Sequence, residues 1–180
     1  MALLGTEILQ VLGISASGQA AGEKEATTTG AIAALAGANP PGVKTSGATL
    51  TLTQAANGGQ TILLGTATGN KVTLPGATGS GVKFKFVVTT TVTSNAHKIL
   101  SGGAADYFQG NVFTEDSATV TGYNATPAGT YLSIAMNGTT TGGFIGDELE
   151  FQDIAANLWQ VNGITKSTGT AATPFSTSAT

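Results

Sequence analysis

From residue 47 to about 166 the chain alternates apolar and polar residues in short runs, and glycine, asparagine or proline marks the gap after most of them. Thr49–Thr53 alternates and ends near Asn57-Gly58-Gly59; Gln60–Leu64 follows and stops before Thr68-Gly69-Asn70; Lys71–Leu74 stops at Pro75. Val82–Val88 gives the clearest signal, with Val82, Phe84, Phe86 and Val88 on one face and Lys83, Lys85 and Val87 on the other, the period-2 pattern of a half-buried strand. Further runs lie at 97–100, 111–113, 118–121, 130–136, 147–151 and 158–161. Short strands with turn signals between them predict an all-β domain, a single jelly-roll-like β-sandwich over 47–166. No fixed period is evident, which argues against a solenoid.

The flanks differ. Residues 1–46 form an N-terminal arm in which Thr6–Gly13 predicts a short helix, Thr6 as cap and Gly13 as stop. Ile8, Leu9, Val11 and Leu12 leave that helix little polar face, so it must bury against something. Gly30–Gly37 predicts a second short helix carrying Ile32 and Leu35, ended by Asn39-Pro40-Pro41-Gly42. The Ser/Thr-rich end, 167–180, has the composition of an extended C-terminal arm, with Phe175 as its one large apolar residue. These seven residues, Ile8, Leu9, Val11, Leu12, Ile32, Leu35 and Phe175, are the candidates for anchoring to a partner or a neighbouring subunit. The opening residues lack a basic n-region and Glu7 interrupts their apolar run, so no signal peptide is expected. No stretch approaches the roughly 20 apolar residues that span a bilayer, and no membrane association is expected.

Composition changes the picture in one respect. The chain has 31 threonines, 7 lysines, no arginine, 10 carboxylates and no cysteine, and 9% of it is charged, against about 25% in ordinary domains. A hydroxyl surface loses little on desolvation when pressed against another protein. A net charge of −3 with scattered lysines gives no footprint for nucleic acid. Proton-transfer chemistry needs titratable groups, and few are present.

Candidate chemistry is correspondingly thin. His97 is the one histidine, and without cysteine or a second histidine it supports neither a zinc site nor a nucleophilic triad. Asp147, Glu148, Glu150 and Asp153 cluster in sequence, but Glu148 and Glu150 alternate with Leu149 and Phe151 as a solvated strand face does; an interface cation there is the minor alternative. Asp106, Glu115 and Asp116 are read as a loop group. Gly76-Ala-Thr-Gly-Ser-Gly81 has the glycines of a phosphate loop but leads to a strand and lacks the Gly-Lys-Ser/Thr ending. Tyr107, Phe108, Tyr123, Tyr131 and Trp159 are candidates for stacking on sugars, though most are expected in the core or in subunit contacts. No catalytic residue, cofactor or metal site is assigned, and an enzyme is not expected.

Three stretches carry a resemblance. Thr49-Leu-Thr-Leu-Thr53 with Gly59–Leu64, Val72-Thr-Leu-Pro75 with Gly79–Phe86, and Gly146–Phe151 with Asn157–Gly163 together resemble β modules of tailed-bacteriophage virion proteins. A compact β domain with arms at both ends is similar to capsid decoration (cement) proteins. That resemblance implies a homo-oligomer, expected to be a trimer, bound across neighbouring major capsid protein subunits on the virion surface and made in the host cytoplasm. A tail, fibre or neck component that binds host-surface carbohydrate is the alternative expectation.

Overall fold

The computed structural model describes residues 42–126 and 130–178. They form an all-β fold of two mixed sheets. The seven-stranded sheet runs, in spatial order, β1 (Val43–Thr45), β3 (Thr61–Leu64), β5 (Lys83–Val88), β10 (Glu148–Ala155), β11 (Leu158–Ser167), β7 (Tyr107–Asp116) and β8 (Thr119–Ala125). The five-stranded sheet runs β12 (Phe175–Ser176), β9 (Ser133–Met136), β6 (His97–Leu100), β4 (Lys71–Thr73) and β2 (Thr49–Thr51). A single helical turn, α1 (Gln54–Asn57), is capped by Thr53, whose hydroxyl accepts from the Ala56 N–H at 3.1 Å.

The first six strands alternate between the sheets. Odd strands β1, β3 and β5 pair parallel in one, and even strands β2, β4 and β6 pair parallel in the other. Parallel neighbours cannot be joined by a tight hairpin; here the intervening strand of the opposite sheet makes the crossover. The result is a short two-layer coil, and β7 and β11 add a fifth parallel pair. This corrects two expectations. Jelly rolls are antiparallel architectures, which these parallel pairs are not, and a coil is present although no repeat was legible. Its rungs are unequal, with Val43 opposite Thr61 but Thr61 opposite Lys85, and Thr49 opposite Lys71 but Lys71 opposite Lys98. Loop lengths therefore hide the period.

The later strands close the coil antiparallel. β10 pairs with β5 and β11, β9 with β6, and β8 folds back on β7. One contiguous core draws on both sheets: Phe84, Phe86, Phe108, Phe151, Trp159 and Val161 from one, Val72, Ile99, Ile134 and Met136 from the other. Phe151 sits at its centre, edge-on to Phe86 (centroids 5.5 Å) and Phe108 (5.1 Å). Such pairs add to simple area burial.

The C-terminal segment is not a projecting arm. Phe175 is 5% exposed, packs at a tilt against Tyr131 (ring centroids 5.5 Å), and lies opposite Ile134 in the β12–β9 pair. The N–H groups of Leu132 and Ala135 donate to the carbonyls of Ser176 and Pro174, and Thr168 and Ala172 donate to Thr139 and Thr140. Phe175 covers the chain's own core, so it is unavailable as an anchor. At the other end, strand pairing among the described residues already begins at Val43, ahead of residue 47, where β1 pairs with β3. Ile8, Leu9, Val11, Leu12, Ile32 and Leu35 lie outside the described residues.

Candidate functional site

The glycine loop between β4 and β5 does bind an anion, and the anion is the protein's own. Asp153, fully buried near the end of β10, accepts from the backbone N–H of Thr78 (3.0 Å), Gly79 (2.7 Å) and Ser80 (3.0 Å) and from the Thr78 and Ser80 hydroxyls (3.1 and 2.7 Å). Gln54 of α1 adds its side-chain amide at 3.3 Å. The preceding N–H, of Ala77, donates to Asp106 at 3.0 Å, which also accepts from Gly103 at 2.8 Å. Four consecutive loop amides thus converge on two buried carboxylates. Burial alone would raise the Asp153 pKa, but the donors of Thr78, Ser80 and Gly79 outweigh it and hold it at about 2. Sequence reading missed this because the loop and its carboxylate are 73 to 75 residues apart.

Two other buried titratable groups, His97 and Asp147, are held within the fold. His97 is fully buried; burial pushes its pKa down, opposed by its contact with the Thr90 carbonyl at 3.2 Å, and Nδ1 has no partner among the described residues. Asp147 accepts from Gly143 (2.7 Å) and Phe144 (3.0 Å) in a tight loop, and burial pushes its carboxyl up despite those N–H groups and Lys166. A pH dependence follows. A buried imidazole takes up protons less readily than in the unfolded chain, so its contribution is complete above about pH 6.5 and is lost as pH falls. The Asp153 contribution is complete above 3.8 and is lost as pH drops toward about 2. Asp147 has the opposite sign and offsets part of these losses. Urea midpoints are expected to decline between about pH 7 and 5, and the decline is expected to flatten in His97→Gln. A rising midpoint in that window would contradict the assignment.

The sequence cluster Asp147, Glu148, Glu150 and Asp153 does not converge. Strand alternation sends Glu148 and Glu150 outward, while Asp147 and Asp153 are buried in separate loop clamps. Among the described residues no three His, Asp or Glu groups are placed to hold a metal ion, and no helix is long and apolar enough to cross a membrane. The expected stacking aromatics are mostly interior: Phe108 and Trp159 are fully buried, Tyr131 packs on Phe175, and Tyr107 and Tyr123 are half-buried.

Among the described residues, nothing covers the outer face of the seven-stranded sheet. Cross-strand register sets its side chains in rows. One row holds Glu148, Ile164, Phe113 and Gly122; the next holds Lys85, Glu150, Asn162, Asn111 and Asn124; a third holds Lys83, Gln152, Gln160 and Gln109. Lys83 pairs with Glu150 at 3.0 Å and Lys85 with Glu148 at 2.9 Å, with all four side chains about half exposed. Exposed pairs of this kind contribute little to stability, but they make the face electrically neutral. Asn124 donates to Asn111 at 2.9 Å. Ile164 and Phe113 stand 64% and 49% exposed, and with Asn111, Asn162, Glu148 and Lys85 they line a groove of about 530 Å³. Phe113 went unnoticed in the sequence because strand alternation there did not specify which face was inward.

Beside this face, β8 is one of the sheet's two edge strands, β1 being the other, and among the described residues it pairs only with β7. Its seven residues, Thr-Val-Thr-Gly-Tyr-Asn-Ala, carry no charge and no proline, and Val120 is 66% exposed. Comparisons with protein-family models, curated proteins and solved structures give no match for this chain.

Proposed function

We propose that this chain is a structural virion protein: a β-sandwich that decorates the expanded capsid of a tailed bacteriophage, seated as a trimer across neighbouring major capsid protein subunits. The observation that carries this reading is the β8 edge. Exposed edge strands usually hold lysine, proline or a bulge that blocks pairing; β8 has neither lysine nor proline. An uncharged edge of seven residues offers main-chain donors and acceptors for strand addition, and threonine side chains cost little to desolvate. The sparse charge of the chain and its likeness to phage β modules support the same reading. Ile8, Leu9, Val11, Leu12, Ile32 and Leu35 act as apolar anchors, so weak single contacts add through multivalent seating.

Co-sedimentation of the purified protein with expanded, undecorated phage heads tests this. Binding is expected to saturate at the number of threefold and quasi-threefold lattice positions. Val120→Lys, which places a charge on the edge, is expected to weaken binding at least about tenfold while leaving the melting temperature nearly unchanged. Absence of binding to heads would move the chain to the tail, fibre or neck.

A further inference from the structure

We infer that the groove on the outer face of the seven-stranded sheet is a binding site for a neutral saccharide. This is independent of the capsid reading, which rests on β8.

The chemistry of a sugar is divided: its axial C–H groups make an apolar face, and its hydroxyls need donors and acceptors around the rim. The groove is divided in the same way. Phe113 lies in a strand position opposite Gly122, and its ring covers that glycine so closely that a Cβ there would lie 3.3 Å from Cε1. Gly122, having no side chain, leaves room for the Cδ1–Cε1 edge of the ring, and Phe113 stays 49% exposed beside the groove. Ile164, next to it in register, extends the apolar strip. Two residues along the strands, Asn162 and Asn111 are cross-strand neighbours, and each side-chain amide supplies both donor and acceptor. Glu148 and Glu150 flank the strip as acceptors. Their lysine partners engage Oε2 of Glu148 and Oε1 of Glu150, and each carboxylate has a second oxygen to offer a hydroxyl.

The ligand class follows from charge and shape. Each glutamate lining the groove is paired with a lysine, Glu148 with Lys85 in the groove and Glu150 with Lys83 beside it, so neither a polyanion nor a cationic peptide gains from it. The next row, Gln152, Gln160 and Gln109, continues the amide track along the strand direction. Three rows spaced by two residues each extend about 13 Å, enough for more than one sugar unit. An aromatic platform with a short set of fixed polar groups is the usual composition of a small-molecule site.

The test uses the full-length, ¹⁵N-labelled protein titrated with maltohexaose, cellohexaose and chitohexaose, each to about 10 mM. At least one is expected to shift the side-chain amide signals of Asn111 and Asn162, with affinity near the millimolar range typical of about −4 kcal/mol. Phe113→Ala is expected to weaken that binding roughly tenfold and Phe113→Trp to retain it; Asn162→Ala, on an exposed position, is a second loss variant that keeps the fold. No shift with any of the three sugars, shifts that map away from the groove, or binding that survives Phe113→Ala would overturn the proposal. Head binding is measured in parallel: if Phe113→Ala abolishes it while no sugar binds, the groove is a protein contact instead.

Discussion

Asp153→Ala is expected to cost about 4 kcal/mol of folding stability, which for a chain of this size lowers the melting temperature by about 8–16 °C. The carboxylate is the common acceptor for three backbone amides, two hydroxyls and the Gln54 amide, all within 3.3 Å. Removing it deprives the Thr78, Gly79 and Ser80 amides of their shared protein acceptor, while Gln54 keeps the Thr78 hydroxyl at 3.3 Å, and each donor left unsatisfied away from water costs on the order of 1–3 kcal/mol. The loop also loses the group that fixes its path between β4 and β5, so α1, which touches Asp153 through Gln54, should loosen with it. Asp153→Asn is expected to recover only part of the loss, about 1–2 kcal/mol, because one of its two positions becomes a donor aimed at other donors. Urea unfolding of the two variants at neutral pH checks the order. A loss below about 1 kcal/mol for alanine would mean that water replaces the carboxylate.

Gly110→Ala is expected to be worse, at 4 kcal/mol or more, with much of the protein failing to fold. Gly110 has φ +126°, where an L residue is strained. A Cβ there would fall 1.9 Å from the Val161 carbonyl oxygen. That oxygen belongs to the backbone of β11, held on its other side by β10, so it cannot retreat without opening the pair. Phe108 and Val112 on one strand and Trp159 and Val161 on the other pack the core at this point, all fully buried, so a shift would also unseat the aromatic centre. Gly76→Ala is the control: its Cβ would meet nothing within 4 Å and its φ is ordinary. It should stay within about 0.5 kcal/mol of the parent. Circular dichroism melting of both variants decides; equal stabilities would show that β7 and β11 can separate locally at no cost.

The two sites differ in how far the sequence reveals them. Alternation in Lys83–Val88 identifies which side chains face inward, and Phe84, Phe86 and Val88 are indeed buried. The same rule places Glu148 and Glu150 outward and Leu149 and Phe151 inward. It fails for Phe175, where a Ser/Thr-rich context reads as a free arm although one aromatic residue suffices to dock the segment against Tyr131 and Ile134. The rest of the site is invisible locally because each part is completed from far away: Phe113 is seated by Gly122 across a hairpin, and its groove by Asn162 and Glu148 from two other strands.

The sequence by itself determined that the chain is β-rich, where most strands lie, and which side is apolar in strands such as Lys83–Val88 and Glu148–Ala155, because a period of two fixes the facing of side chains wherever apolar and polar residues alternate cleanly. It also determined the uncharged, threonine-rich surface. Only the tertiary structure decided which strands are neighbours. Facing says nothing about partners, and the parallel coil of β1 to β6 arises because successive strands cover opposite sides of one core. The tertiary structure likewise decided what the glycine loop holds. Its amides require an acceptor, and which carboxylate arrives is settled by the register of β10, a strand formed from residues more than 60 positions further along the chain.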